Sequence, residues 1–206
     1  MPRLVMELIL VRGGAAEATL GTLRGQAPLS LGSAGFAALE RLAASWIGPP
    51  PRLLYCSDLR RALQGAQIFA ARFALEPLPD ARLRELDLGQ WNGVNFATAS
   101  LRQPAAWQQW NADWVGSAPP GGECWLDLAR RARGWLSGLA AHADDERRVL
   151  VISHENPLRA LLAEVLEMPP ATTRRLRIEP AHASALRLAG GTFEVSYLNS
   201  PQFLLL

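Results

Sequence analysis

Residues 149–158, Val149-Leu150-Val151-Ile152-Ser153-His154-Glu155-Asn156-Pro157-Leu158, decide the fold class. The run 149–153 is apolar without alternation, so both of its faces are covered, as a central strand of a parallel sheet requires. Asn156 reads as an N-cap and Pro157 as the first helical residue of a helix over 158–166. Two more apolar runs, 4–11 and 52–56, are likewise followed by a turn and a helical pattern, which is how βα units look in sequence. The expected fold is α/β, a three-layer αβα sandwich around a mostly parallel central sheet.

The helices between these strands have readable starts and faces. Ser33 is the expected cap of a helix with Phe36, Leu39, Ala43 and Trp46 on one face, stopped by Pro49-Pro50-Pro51. Ser57 or Asp58 is the expected cap of the next, with Leu59, Leu63, Ala66, Ala70 and Phe73 inward. Residues 123–141 place Trp125, Leu128, Ala132, Trp135 and Leu139 on one stripe. The tail, 184–188 and 192–198 around Gly190-Gly191, reads as a hairpin or two edge strands. The 43 positions 80–122 break this rhythm, and Trp107, Trp110 and Trp114 fall at helical spacing within them. We expect one domain over residues 1–206, with a Trp-rich insertion or lid at about 92–120. The tryptophans either pack a short helix on the body or cover a bound ring.

Composition narrows the function. The chain has 206 residues, 49% hydrophobic and 19% charged, with formal charge +2, which suits a globular protein. All 21 basic residues are arginine, but they are scattered and make no nucleic-acid stripe. Run 4–11, interrupted by Glu7, is too short to span a membrane, which takes about 20 residues, and it makes a poor signal-peptide core. Cys56 and Cys124 lie far apart with no metal-ligand spacing, so a reducing, cytoplasmic setting is expected. The apolar tail Phe203-Leu204-Leu205-Leu206 offers a contact surface for a second subunit, as in a homodimer.

In open α/β sheets the ligand lies beyond the carboxyl ends of the strands. The residues there are Arg12-Gly13-Gly14, Ser57 to Arg61, and Ser153-His154-Glu155-Asn156. Two arginines, a histidine and helix N-termini make an anion site, because amide donors and the guanidinium fork match phosphoryl oxygens. Glu85 is the candidate acid to protonate a leaving oxygen. Each residue also has a plain reading, with Glu85 paired to Arg82 or Arg84 and the arginines in surface salt bridges. Only their joint placement favours a site.

Five ordered motifs carry a resemblance. Leu8-Ile9-Leu10-Val11-Arg12-Gly13-Gly14 resembles the opening of the histidine phosphatase superfamily, the phosphoglycerate mutase-like fold, whose signature is strand then Arg-His-Gly. Cys56-Ser57-Asp58-Leu59-Arg60-Arg61-Ala62-Leu63-Gln64-Gly65-Ala66 is similar to its Ser-Asp-Leu-x-Arg-Ala block, and Leu83-Arg84-Glu85 to its acid-bearing segment. Pro120-Gly121-Gly122-Glu123-Cys124 and the block from Val149 through His154 complete the set. The short length and the Trp-x-x-Trp segment look most like the bacterial α-ribazole phosphatase branch.

The resemblance implies a phosphomonoesterase needing no metal or cofactor. Arg12, Arg61 and His154 would bind phosphate, Glu85 would donate a proton, and a histidine after Arg12 would attack phosphorus. The expected ligand is a phosphorylated small molecule or inorganic phosphate, with no nucleic acid or membrane. At the nucleophile position, however, stands Gly13, which has no lone pair to accept a phosphoryl group. Cys56 and Arg61 have four residues between them, one short of a cysteine-phosphatase loop. Further departures are Ala27 for aspartate, Gly65 for threonine and Glu155 for glycine. Three readings stay open: a pseudophosphatase acting as a binding module, an enzyme using another residue or direct water attack, and an active phosphatase sequence carrying a nucleophile-knockout substitution.

Overall fold

Strand β1, Val5–Arg12, sends alternate side chains to opposite faces of a sheet, and every one of them from Leu8 to Val11 is buried. The computed structural model describes residues 5–140 and 147–204. Residue 4 of the expected first strand, 141 at the end of the expected third helix, and tail residues Leu205 and Leu206 lie outside them.

The sheet has six strands in the order β3-β2-β4-β1-β5-β6, with β2 Leu53–Cys56, β3 Pro77–Pro79, β4 Arg147–Ser153, β5 Ala183–Ala189 and β6 Thr192–Ser200. The first four in that order run parallel, while β5 is antiparallel to both β1 and β6. Strand β4 is central, and its residues Val149 to Ser153 are fully buried. Met6, Leu8, Leu10, Val149 and Val151 pack on one face against helices α5, Trp125–Ala140, and α6, Glu155–Val165. Ile9, Val11, Leu150 and Ile152 pack on the other against α1, Ser33–Ala44, and α2, Arg60–Phe73. The three layers follow from this alternation on strands that are apolar on both sides. The α5 stripe of Trp125, Leu128, Ala132, Trp135 and Leu139 is buried as its spacing predicts.

Several local expectations are corrected. The cap of α1 is Gly32, not Ser33, and Phe36 is exposed while Leu42 takes the inward place. The cap of α2 is Leu59, because Ser57 and Asp58 turn away to His154 and Arg84. Phe69, absent from the expected face, is fully buried there. In α6 the cap is His154 and Asn156 is already helical, its side-chain oxygen accepting from Arg159. Strand β5 is an interior strand, not an edge, since it pairs with β1 on one side and β6 on the other.

Positions 80–122 contain two short helices, α3 Phe96–Arg102 and α4 Pro104–Ala112. Helix α4 ends before Trp114, because the Asp113 carboxylate accepts from the Gly116 N–H and turns the chain. Trp107 and Trp110 pack with Trp91 at centroid distances of 5.3 and 5.8 Å. Among the described residues no helix is long and apolar enough to cross a membrane.

The tail reading also changes. Phe203 is buried and meets Trp46 edge-on at 4.5 Å, so it closes this chain's own core. Phe203→Ala is expected to lower stability by about 3–5 kcal/mol in urea unfolding, as buried Phe truncations do. A loss within experimental error would mean that the ring is dispensable.

Candidate functional site

The site begins with strand register. Arg12, the last residue of β1, lies opposite Ser153, the last of β4, and the Gly13 N–H donates to the Ser153 carbonyl at 2.8 Å. The loops leaving these strands therefore emerge side by side and line a cavity of about 290 Å³. Arg12, Gly13, Arg61, Glu85 and His154 all line it, brought together from four separate segments of the chain.

Arg61, on the first turn of α2, is 6% exposed. Its two terminal nitrogens donate to the carbonyls of Gly25 at 2.6 Å and Ala27 at 3.0 Å. No carboxylate pairs with it among the described residues, and burial lowers its pKa. A guanidinium has five N–H donors, so three remain after these two bonds. Arg12 donates to the Ile178 carbonyl and forms an ion pair with Glu155 at 3.0 Å, and its pKa too is lowered by burial.

His154 is buried, with Nε2 sharing a 2.8 Å hydrogen bond with the Ser57 hydroxyl. Nδ1 has no partner among the described residues. Burial, reinforced by Arg61, Arg131 and Arg12, pushes its pKa well below 6.5, so the ring is neutral at neutral pH. Ser57 is fully buried, does not line the cavity and also accepts from the Leu59 N–H, so it holds the imidazole instead of facing a ligand. The buried Cys56 thiol is pushed up to about 12, chiefly by burial, which leaves it a poor nucleophile.

Glu85 follows a 3-10 turn, Ala81–Leu83. Its carbonyl accepts from Gln26 and from Arg131, each at 3.0 Å, and Arg131 is itself paired with Glu123. One carboxylate oxygen accepts from the Leu86 N–H at 2.8 Å and from the Asn156 N–H at 3.3 Å, in the first turn of α6. Glu85 thus caps α6 across space and leaves its second oxygen free of these bonds. The plain reading of Glu85 fails, since Arg84 pairs with Asp58 and Arg82 with Asp80, each at 2.6 Å, whereas the salt-bridge reading of Arg12 holds through Glu155.

Sequence reasoning missed Arg24 and Arg174 among the cavity residues and read Trp125 only as core packing. It placed Glu155 at the strand end beside the anion site, and this carboxylate bridges Arg12 and Arg159 at the cavity floor. No spacing rule links Arg24 or Arg174 to the strand ends, so only the folded chain reveals them. Gly65 is explained by packing, since a Cβ there would lie 2.9 Å from a Leu39 methyl.

The two glycines after Arg12 differ. At Gly14 a Cβ would come within 2.4 Å of the Gly35 carbonyl oxygen, so the loop and α1 touch backbone to backbone. At Gly13 the nearest atom would be the Ser153 oxygen at 3.4 Å, ordinary contact, so there is room for a side chain.

This chain matches the histidine phosphatase superfamily (branch 1) over residues 8–201 and belongs to that superfamily. It is 29% identical over 196 residues to adenosylcobalamin/alpha-ribazole phosphatase of Salmonella typhimurium, covering 95% of this chain and 96% of that one. It is 33% identical over 172 residues to glucosyl-3-phosphoglycerate phosphatase of Mycobacterium tuberculosis, covering 80% and 77%. The fold is shared with the alpha-ribazole phosphatase of Shigella flexneri, at TM-score 0.91 and 23% identity over 98% of this chain and all of that one. A mycobacterial glucosyl-3-phosphoglycerate phosphatase solved with inorganic phosphate superposes at TM-score 0.80 with 29% identity, covering 95% and 98%.

Two measurements check this geometry. Gly13→Ala should leave stability unchanged or raise it by up to about 1 kcal/mol through the unfolded state, whereas Gly14→Ala should lose at least about 1–3 kcal/mol by overpacking. Equal losses in urea would contradict the assigned spacing. Below about pH 6.5 the unfolded chain takes up a proton at position 154 that the folded chain refuses, so stability falls as the pH drops toward the folded-state value. His154→Gln should therefore flatten the urea midpoint between pH 7 and 5, by up to about 1.4 kcal/mol per pH unit. An unaltered slope would mean that the imidazole is not held neutral.

Proposed function

We propose that the protein binds a small phosphorylated ligand, a phosphomonoester or inorganic phosphate, in this cavity, and that hydrolysis is impaired because Gly13 stands where an attacking imidazole belongs. Arg12, Arg61 and His154 hold the phosphoryl oxygens, and Glu85 is the proton donor of the parent chemistry. The observation that carries the reading is the convergence of these side chains on one cavity at the carboxyl ends of β1 and β4. Arg61 is buried there with no carboxylate paired to it among the described residues, and an oxyanion would offset that cost. The similarity to an adenosylcobalamin/alpha-ribazole phosphatase and to a glucosyl-3-phosphoglycerate phosphatase favours a phosphorylated small metabolite. The same reading assigns a cytoplasmic setting, which suits two buried free cysteines.

Among the three open readings, the non-catalytic binding module is favoured by Glu155. Its carboxylate neutralises Arg12 in the resting cavity, a second change beside Gly13 that weakens charge stabilisation of phosphoryl transfer. The room at Gly13 supports the knockout reading equally, because the loop is built as if a side chain could stand there.

A hundredfold excess of inorganic phosphate over its Kd should raise the Tm by about 5–10 °C, and Arg12→Gln should abolish the rise. An unchanged melting curve at saturating phosphate would refute phosphate binding. Gly13→His should create acid-labile phosphohistidine and raise aryl phosphate hydrolysis by about three orders of magnitude or more. Adding Glu85→Gln to that variant should remove about 10²–10⁴ of the gain. If Gly13→His stays unphosphorylated, the loss of function is not confined to the nucleophile.

A further inference from the structure

The outer end of the cavity holds a cation that the phosphate reading does not use. The Arg174 guanidinium lies over the Trp114 ring with its carbon 3.9 Å from the centroid, and 5.8 Å from that of Trp110. All three residues line the same cavity as Arg12 and Arg61. Stacking occupies one face of the guanidinium and leaves its edge N–H donors free, so the tryptophan fixes their orientation. Among the described residues no carboxylate pairs with Arg174 and no hydrogen bond engages its edge. The Trp110 indole N–H is also buried without a partner. The Arg174 edge, exposed at the cavity's rim, and the buried Trp110 N–H thus both line the cavity without a protein acceptor among the described residues, and the Trp114 face under Arg174 is not free to stack on a ligand ring.

The carboxylates that line the cavity, Glu85 and Glu155, are engaged away from Arg174. Glu155 pairs with Arg12 and Arg159, and Glu85 accepts from the Leu86 and Asn156 amides.

We propose that Arg174, laid flat on Trp114 beside Trp110, is a second oxyanion subsite, and that the ligand is a phosphomonoester whose alcohol part ends in a carboxylate or a second phosphate. This rests on the phosphate reading of the floor. A cavity of about 290 Å³ has room for such a molecule, since a water takes roughly 30 Å³. The rim carboxylate or phosphate accepts from the guanidinium edge while the first phosphoryl group lies on Arg12 and Arg61.

The test is calorimetric titration at constant ionic strength with inorganic phosphate, sorbitol 6-phosphate and 6-phosphogluconate. The last two are open six-carbon chains with the same phosphate and differ in the terminal group, a hydroxymethyl in one and a carboxylate in the other. The protein should bind 6-phosphogluconate about tenfold or more tighter than sorbitol 6-phosphate, the effect of one charge-assisted contact. Arg174→Gln should reduce that ratio to about one with the inorganic phosphate Kd changed less than about twofold, while Arg175→Gln, an exposed neighbour of the same charge, keeps it. A chain that binds phosphate but does not discriminate the pair, or an Arg174→Gln variant that still does, overturns the second subsite and leaves the phosphate reading standing. Failure of all three ligands to bind overturns both.

Discussion

The parallel register of β1 and β4 is the constraint on which the site depends. It sets Arg12 beside Ser153 and ties the Gly13 amide to the Ser153 carbonyl. A slip of one residue would exchange the two faces of β1, turning Met6, Leu8 and Leu10 away from the layer of α5 and α6. Burial of both faces therefore determines the register, and the register determines where the loops emerge.

Once the loops meet, desolvation governs the chemistry. His154 is neutral because it is buried among arginines, and Arg61 keeps its charge on two carbonyls instead of a carboxylate. Glu85 is aimed by the α6 N-terminus and anchored through its own carbonyl by Arg131, which is braced in turn by Glu123. The acid is thus positioned by an ion pair outside the cavity. Such a floor offers donors to an oxyanion, and Gly13 contributes no side chain to it.

Gly13 and Glu155 bear on the proposed function from different directions. The first leaves the attacking position of that reading without a side chain and does so without straining the backbone, since a Cβ would fit. The second supplies an internal carboxylate to Arg12, so an incoming anion must compete for that guanidinium. Gly14, the next residue of the loop, has a purely steric reason to be glycine, because the Gly35 backbone leaves no space. Adjacent glycines in one motif therefore mean different things.

Strands β1, β2 and β4, the layered architecture, the α5 stripe and the C-terminal hairpin were legible in the sequence, because apolar periodicity reports which faces are buried; the three-residue edge strand β3, with two prolines, shows no such periodicity and was not read. The convergence of Arg12, Arg61 and His154 on one cavity was legible as well, through their places after successive strands, and that of Glu85 through the resemblance its segment carries. Helix starts were misread at Ser33, Ser57 and Asn156, because the partners of those capping groups come from across the fold: Glu85 reaches α6, and Asp58 goes to Arg84. Phe203 read as a free apolar end, though Trp46 and Phe69 were waiting for it. The sequence by itself determined which residues are apolar, charged or absent, above all the lack of an imidazole at position 13. Only the tertiary structure decided that Glu155 faces Arg12 and that Arg174 lies on Trp114, since contacts between distant segments arise from packing and leave no local periodicity to read.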